Sequence, residues 1–69
     1  MDNKFRNRLK ELRTAKGISQ KELGKIIGGS YSAVSYWEQG INEPKISYVI
    51  ALCRYFEVSA DYLLGLTDE

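Results

Sequence analysis

Apolar residues recur every three or four positions along most of this chain, and glycine, proline or asparagine interrupts the recurrence at short intervals. Phe5, Leu9 and Leu12 put an apolar stripe on a first amphipathic segment that stops at Gly17. Ser19, followed three residues later by Glu22, forms a capping box, and Ile18 is spaced to pack on Leu23 as a hydrophobic staple. A second helix therefore starts at Ser19, carries Leu23, Ile26 and Ile27 inward and ends at Gly28. Ser30 caps a third segment that runs to Gln39 before Gly40 stops it. At helical period Ala33, Val34 and Trp37 share one side of that segment, while Tyr31, Ser32, Ser35, Tyr36 and Gln39 share the other. After Asn42 and Pro44 a fourth helix is expected to bury Ile46, Val49, Ile50, Cys53 and Phe56. Tyr48, Ala51 and Tyr55, flanked by Leu52, would then face outward. A fifth segment begins at Ser59, with Val58 and Leu63 as a second staple and Asp61 in its first turn, and ends near Gly65. No strand alternation, repeat or low-complexity stretch is present, so the pattern predicts an all-α fold of five helices.

Size narrows the picture further. With 69 residues the chain predicts one domain spanning 1–69, too small for a two-lobed enzyme cleft. A core of this size supplies only about 3–5 kcal/mol, which makes caps, close packing or a partner chain important. Cys53 is the one cysteine, so it cannot form an internal disulfide, and it reads as a small core residue. Histidine is absent, which removes the usual metal ligands and general bases. The start Met1-Asp2-Asn3-Lys4-Phe5 lacks the apolar centre of a signal peptide, and the longest apolar run, Tyr48 to Cys53, is too short to span a bilayer. These features predict a soluble, cytoplasmic chain without metal, cofactor or membrane contact. Net charge is only +1, but up to Lys25 eight basic residues stand against three acidic ones, and beyond it two stand against six. That asymmetry suits a phosphate-bearing partner, and it suits an ordinary solvated helix face equally.

Two short helices joined by a tight glycine-containing turn, 19–27 and 30–39, match the geometry in which a second helix enters the DNA major groove. A reader helix needs hydrogen-bonding and flat apolar groups on its outer face. Tyr31, Ser32, Ser35 and Tyr36 supply them as candidate base contacts, with Gln39 on the same side. Solvent exposure accounts for the serines and the glutamine equally well, less so for two outward tyrosines. Gln20 and Ser30 stand at helix starts, where free amides and the dipole favour phosphate, and both also serve as caps or surface residues. Asn42 and Lys45, in and after the following turn, are placed to hold the phosphate backbone further along.

The stretch Ile18-Ser19-Gln20-Lys21-Glu22-Leu23, the turn Gly28-Gly29-Ser30, the run Val34 to Gly40, Pro44 and the segment Val58 to Gly65 resemble the lambda-repressor-like helix-turn-helix family, the XRE or Cro-type regulators. The resemblance covers nearly the whole chain. It implies a compact five-helix DNA-binding domain with its helix-turn-helix at helices 2 and 3. It also implies a bacterial or phage transcription regulator, a repressor, acting as a homodimer on a palindromic double-stranded operator. By position it assigns base reading to Tyr31, Ser32 and Tyr36, phosphate contact to Gln20 and Ser30, and a salt bridge between Arg13 and Glu38. The last is physically sensible, since Arg13 lies beside Leu9 and Glu38 borders the buried side of its helix. Three positions and the make-up of the third helix depart from the family pattern. Gly24 replaces a usual alanine, at about 1 kcal/mol of helix propensity, and permits closer helix contact. Gly29 replaces an aliphatic residue and loosens the turn, Glu43 occupies a loop where relatives carry a base, and the third helix has no Lys or Arg. Modest non-specific affinity is expected.

The outward stripe of Tyr48 and Tyr55, with Tyr62 and Leu66, is the expected homodimer surface, although packing of helix 5 on helix 4 also explains it. An alternative function is a protein-interaction module, such as an antitoxin or partner-controlled regulator, binding another chain through that face. An enzyme has no support: the sequence shows no histidine, no phosphate-cradling loop ending in Lys and no paired carboxylates in a predicted cleft.

Overall fold

Five helices joined by short turns make up the computed structural model, which describes residues 3–68: α1 (Asn3–Ala15), α2 (Gln20–Ile27), α3 (Tyr31–Gln39), α4 (Ile46–Phe56) and α5 (Ala60–Leu64). Met1, Asp2 and Glu69, included in the expected domain of 1–69, lie outside the described residues. Local chemistry sets the helix ends. The Ser19 hydroxyl accepts from the Glu22 N–H at 3.0 Å while Glu22 Oε1 accepts from the Ser19 N–H at 2.9 Å, which closes the capping box. Ser30 and Ser59 accept from the N–H groups of Ala33 and Tyr62 at 3.1 and 3.0 Å and start α3 and α5. Gly28, Gly40 and Gly65 end α2, α3 and α5. The ends of α4 are weaker: Lys45 makes no side-chain cap bond, and Glu57 takes the left-handed position at φ 57°, at a cost of about 1 kcal/mol for a residue with a Cβ.

The core draws on every helix. Phe5 and Leu9 from α1, Leu23 from α2, Val34 and Trp37 from α3, Leu52 and Phe56 from α4 and Leu63 from α5 form one buried cluster. Leu12, Ile18, Ile27, Val58 and Leu64 pack around it. Because each helix contributes only one or two fully buried side chains, none is stable without the others, as short helices in water require.

Two helices are rolled about their axes relative to the expected faces. On α4 the direction into the core is that of Leu52, with Tyr48, Val49, Tyr55 and Phe56 within about 60° of it at roughly 100° per residue. Ile46 and Ile50, expected inside, are 79% and 47% exposed, and Cys53 sits half-buried at the edge. The helix is apolar on both flanks, and its orientation is set by bulk. Tyr48 packs against Trp37 with ring centroids 5.4 Å apart, and Tyr55 meets Phe56 edge-on at 5.0 Å. The larger rings fill the inter-helix space, which leaves the isoleucines outside. On α2 the expected inward Ile26 is exposed, and the buried position beside Leu23 belongs to Gly24.

Gly24 is buried for a steric reason. A Cβ added there would stand 2.7 Å from the carbonyl carbon of Ser30 and 2.8 Å from its oxygen, and main chain cannot swing aside as a flexible side chain does. The start of α3 thus approaches α2 more closely than alanine allows, consistent with the closer contact expected from the sequence. Gly24→Ala should lower the melting temperature despite its better helix propensity, because overpacking of this kind costs about 1–3 kcal/mol against a propensity gain of about 1. A variant melting above the parent chain would show that the close approach is not real.

Candidate nucleic-acid interface

Between its caps, α3 divides sharply by chemistry. Val34 and Trp37 are buried, and Ala33 packs beside them. On the opposite flank Tyr31 is 57% and Tyr36 44% exposed, with Ser32 and Gln39 also exposed. Ser35 is half-buried because Gln39 folds over it: Gln39 Nε2 donates to Ser35 Oγ at 2.8 Å and to its carbonyl at 3.2 Å. The bare surface is therefore two aromatic rings and several hydroxyls, without a charge; α3 carries neither Lys nor Arg.

A charged cluster beneath the helix fixes which flank is bare. Arg13 Nε donates to Glu38 Oε2 at 2.6 Å and Arg13 Nη2 to Glu38 Oε1 at 3.0 Å, a two-pronged pairing of guanidinium and carboxylate. Glu38 Oε1 also accepts from Gln20 Nε2 at 3.1 Å, and Arg13 Nη1 donates to the carbonyl of Ile18 at 2.9 Å. One cluster thus links α1, the turn before α2, α2 and α3, with the Glu38 side chain only 4% exposed. Hydrogen bonding to the Glu38 carboxylate raises the Arg13 pKa above its ordinary value and outweighs the opposing effect of burial.

The other candidate residues fall in different settings. Gln20 lies at the first turn of α2, but its amide nitrogen is engaged by Glu38. The Ser30 hydroxyl caps α3, and Asn42 and Lys45 are exposed in the segment joining α3 to α4. Of the four residues expected on a dimer surface, Tyr48 and Tyr55 do not face outward: they are half-buried against Trp37 and Phe56. The same placement covers part of the α4 tyrosine face that the protein-interaction alternative invoked. Tyr62 lies under the Arg8 guanidinium at 4.2 Å, and Leu66 is exposed.

Arginines of α1 serve acceptors the sequence did not reveal. Arg6 Nη1 donates to the carbonyl of Gln39 at 3.1 Å, closing the end of α3, where Gly40 leaves room: a Cβ there would lie 2.7 Å from Arg6 Nη1. Arg8 Nη1 donates to the carbonyls of Tyr62 and, at 2.6 Å, Thr67. Cations at helix C-termini are favoured by the dipole, and main-chain acceptors leave no mark in side-chain patterns. Three of the eight basic residues up to Lys25, namely Arg6, Arg8 and Arg13, are therefore held by acceptors within the fold. Among the described residues no helix is long and apolar enough to cross a membrane.

Two capped helices in this arrangement, the second with one face bare, define a helix-turn-helix domain. A family model described as helix-turn-helix matches residues 9–63. The chain is 36% identical over 62 residues to an uncharacterized HTH-type transcriptional regulator, YobD of Bacillus subtilis, covering 90% of this chain and 55% of YobD. It is 39% identical over 64 residues to Repressor protein C2 of Salmonella phage P22, covering 93% of this chain and 28% of the repressor. The chain thus spans about half of one relative and little more than a quarter of the other. The crystal structure of the P22 c2 repressor in complex with a synthetic operator superposes with a TM-score of 0.82 at 36% identity, covering 86% of this chain and 89% of that one. This chain belongs to the helix-turn-helix family, in its lambda-repressor-like, XRE-type branch, a family of DNA-binding regulators and not of enzymes.

Two measurements test this architecture. Arg13→Ala leaves the Glu38 carboxylate buried with Gln20 alone, a change that costs about 3 kcal/mol, and should lower the melting temperature by about 10 °C or more. Arg13→Lys should recover only part of the loss, since an ammonium cannot reproduce the fork; an unchanged melting curve for the alanine variant would show that the pair carries no load. The second concerns pH. The Ser19 N–H and then its hydroxyl hold the Glu22 carboxyl below the ordinary carboxylate range. A carboxyl with a lowered folded pKa stabilises the fold above its unfolded value of about 4.3, and that contribution is lost as pH falls through the folded value. Glu22→Gln should therefore be less stable than the parent at neutral pH, with the difference shrinking as pH falls through the folded pKa of Glu22; a constant difference across the range would exclude a charge contribution at this cap.

Proposed function

We propose that this chain is a sequence-specific regulator of transcription, a repressor, that binds double-stranded DNA by inserting α3 into the major groove. The observation that carries the reading is the division of α3 into a buried Val34–Trp37 flank and a bare flank bearing Tyr31, Ser32 and Tyr36, with Ser35 beside them. A helix fits the major groove and exposes its outer side chains to base edges there. Phosphate contacts come from main-chain N–H groups at the first turns of α2 and α3, at Gln20 and Ser30, and from Asn42 and Lys45 beyond α3. Gln20 contributes its main chain in this role, because Glu38 holds its amide nitrogen. Regulation follows from occupancy: the bound domain blocks other proteins from the same DNA, and no chemistry, metal or cofactor is needed. The chain acts in the cytoplasm, as a homodimer on a palindromic operator with one half-site per copy. Exposed Ile46 and Ile50 on α4 and Leu66 after α5 offer apolar surface for that pairing.

The likeness of this chain to the P22 c2 repressor, whose crystal structure holds a synthetic operator, supports the reading. Recovering bound sequences from a random duplex pool tests it, with two related half-sites expected at a fixed spacing. Tyr36→Ala should then reduce the preference for the recovered site over a scrambled duplex by at least about fivefold, the lower end of what one good base contact contributes. An unchanged ratio at fixed salt would remove Tyr36 from the interface.

A further inference from the structure

The groups that α3 leaves bare restrict which bases it can read. Guanine is read chiefly by a guanidinium or ammonium that spans its O6 and N7. None stands on α3. The arginines that reach its C-terminal turn are engaged within the chain, Arg6 on the Gln39 carbonyl at 3.1 Å and Arg13 on both oxygens of Glu38. Adenine is read by a carboxamide that accepts from N6 while donating to N7. Gln39 is poorly placed for that, since its Nε2 already donates to Ser35 Oγ at 2.8 Å and to the Ser35 carbonyl at 3.2 Å. What remains accessible is the ring and hydroxyl of Tyr31 and Tyr36 and the hydroxyl of Ser32. Hydroxyls donate or accept with equal ease and discriminate weakly between bases. A flat aromatic ring, by contrast, has one distinctive target in the major groove, the C5-methyl group of thymine.

We infer that α3 reads thymine, through contact of the Tyr31 and Tyr36 rings with C5-methyl groups, so that the base pairs beneath it are A·T pairs. This rests on the assignment of α3 as the base reader. The test takes the duplex recovered from the random pool by the full chain and replaces each dT in turn with dU, which deletes the methyl group and leaves pairing intact. Titration by fluorescence anisotropy at fixed salt should show a loss of about fourfold in affinity at each contacted thymine, as removal of one methyl contact predicts. The loss should persist in Tyr31→Phe and Tyr36→Phe, which keep the ring, and disappear at the matching position in each alanine variant. Both side chains are exposed, so these variants should fold. Equal affinity for dT and dU at every position, or G·C pairs where the tyrosine variants act, would overturn thymine reading and leave operator binding intact. A pool that yields no enriched sequence would overturn the assignment of α3 itself.

Discussion

The pairing of Arg13 with Glu38 is the constraint on which the exposed surface depends. It joins α1 to α3 across the molecule, takes in Gln20 from α2 and the Ile18 carbonyl from the turn, and stands next in sequence to the buried Trp37. An apolar anchor and a two-pronged ionic anchor at successive residues leave α3 little freedom to roll, since rolling would expose the indole and strand a buried carboxylate together. The bare tyrosine flank is a consequence of what is held beneath it. Gly24 adds to this from the other end, by letting α2 press against the main chain at Ser30.

The caps and the faces of α1 and α3 were legible in the sequence because their signals are local. Ser19 with Glu22, Ser30 before Tyr31, and Gly28, Gly40 and Gly65 at the stops each act within a few residues, so spacing alone identifies them. The face of α4 was not legible, for a reason its residues make clear. Ile46 and Ile50 recur at helical spacing as well as Leu52 and Phe56 do, and periodicity cannot choose between two apolar flanks. The choice is made by Trp37, which Tyr48 covers, and that contact is visible only in three dimensions. The Arg13–Glu38 pair came from family resemblance and has a physical basis in the folded chain. The engagement of Arg6, Arg8 and Gln20 had no comparable signal, because their acceptors are carbonyls or a carboxylate distant in sequence.

The internal use of arginine also changes what the charge distribution means. The basic first half suits a phosphate-bearing partner and a solvated face equally, and in the fold Arg6, Arg8 and Arg13 are all turned to acceptors within the chain. Lys16 lies over the ring of Tyr55 at 5.0 Å. Because α3 itself carries neither Lys nor Arg, discrimination along it has to come from shape, hydroxyls and apolar contact at the bases. Uncharged tyrosines suit that demand, since they bring large rigid area with few torsions to restrain.

Aromatic and amide NMR spectra of the chain, recorded while its selected duplex is added, would test the orientation of α3 most directly. The ring signals of Tyr31 and Tyr36 should shift, together with the amides around Ser32, while the Trp37 indole and the Leu52 methyls stay where they are. Shifts centred on Ile46 and Ile50 of α4, with both α3 tyrosines unmoved, would contradict that orientation and put the DNA-facing surface elsewhere.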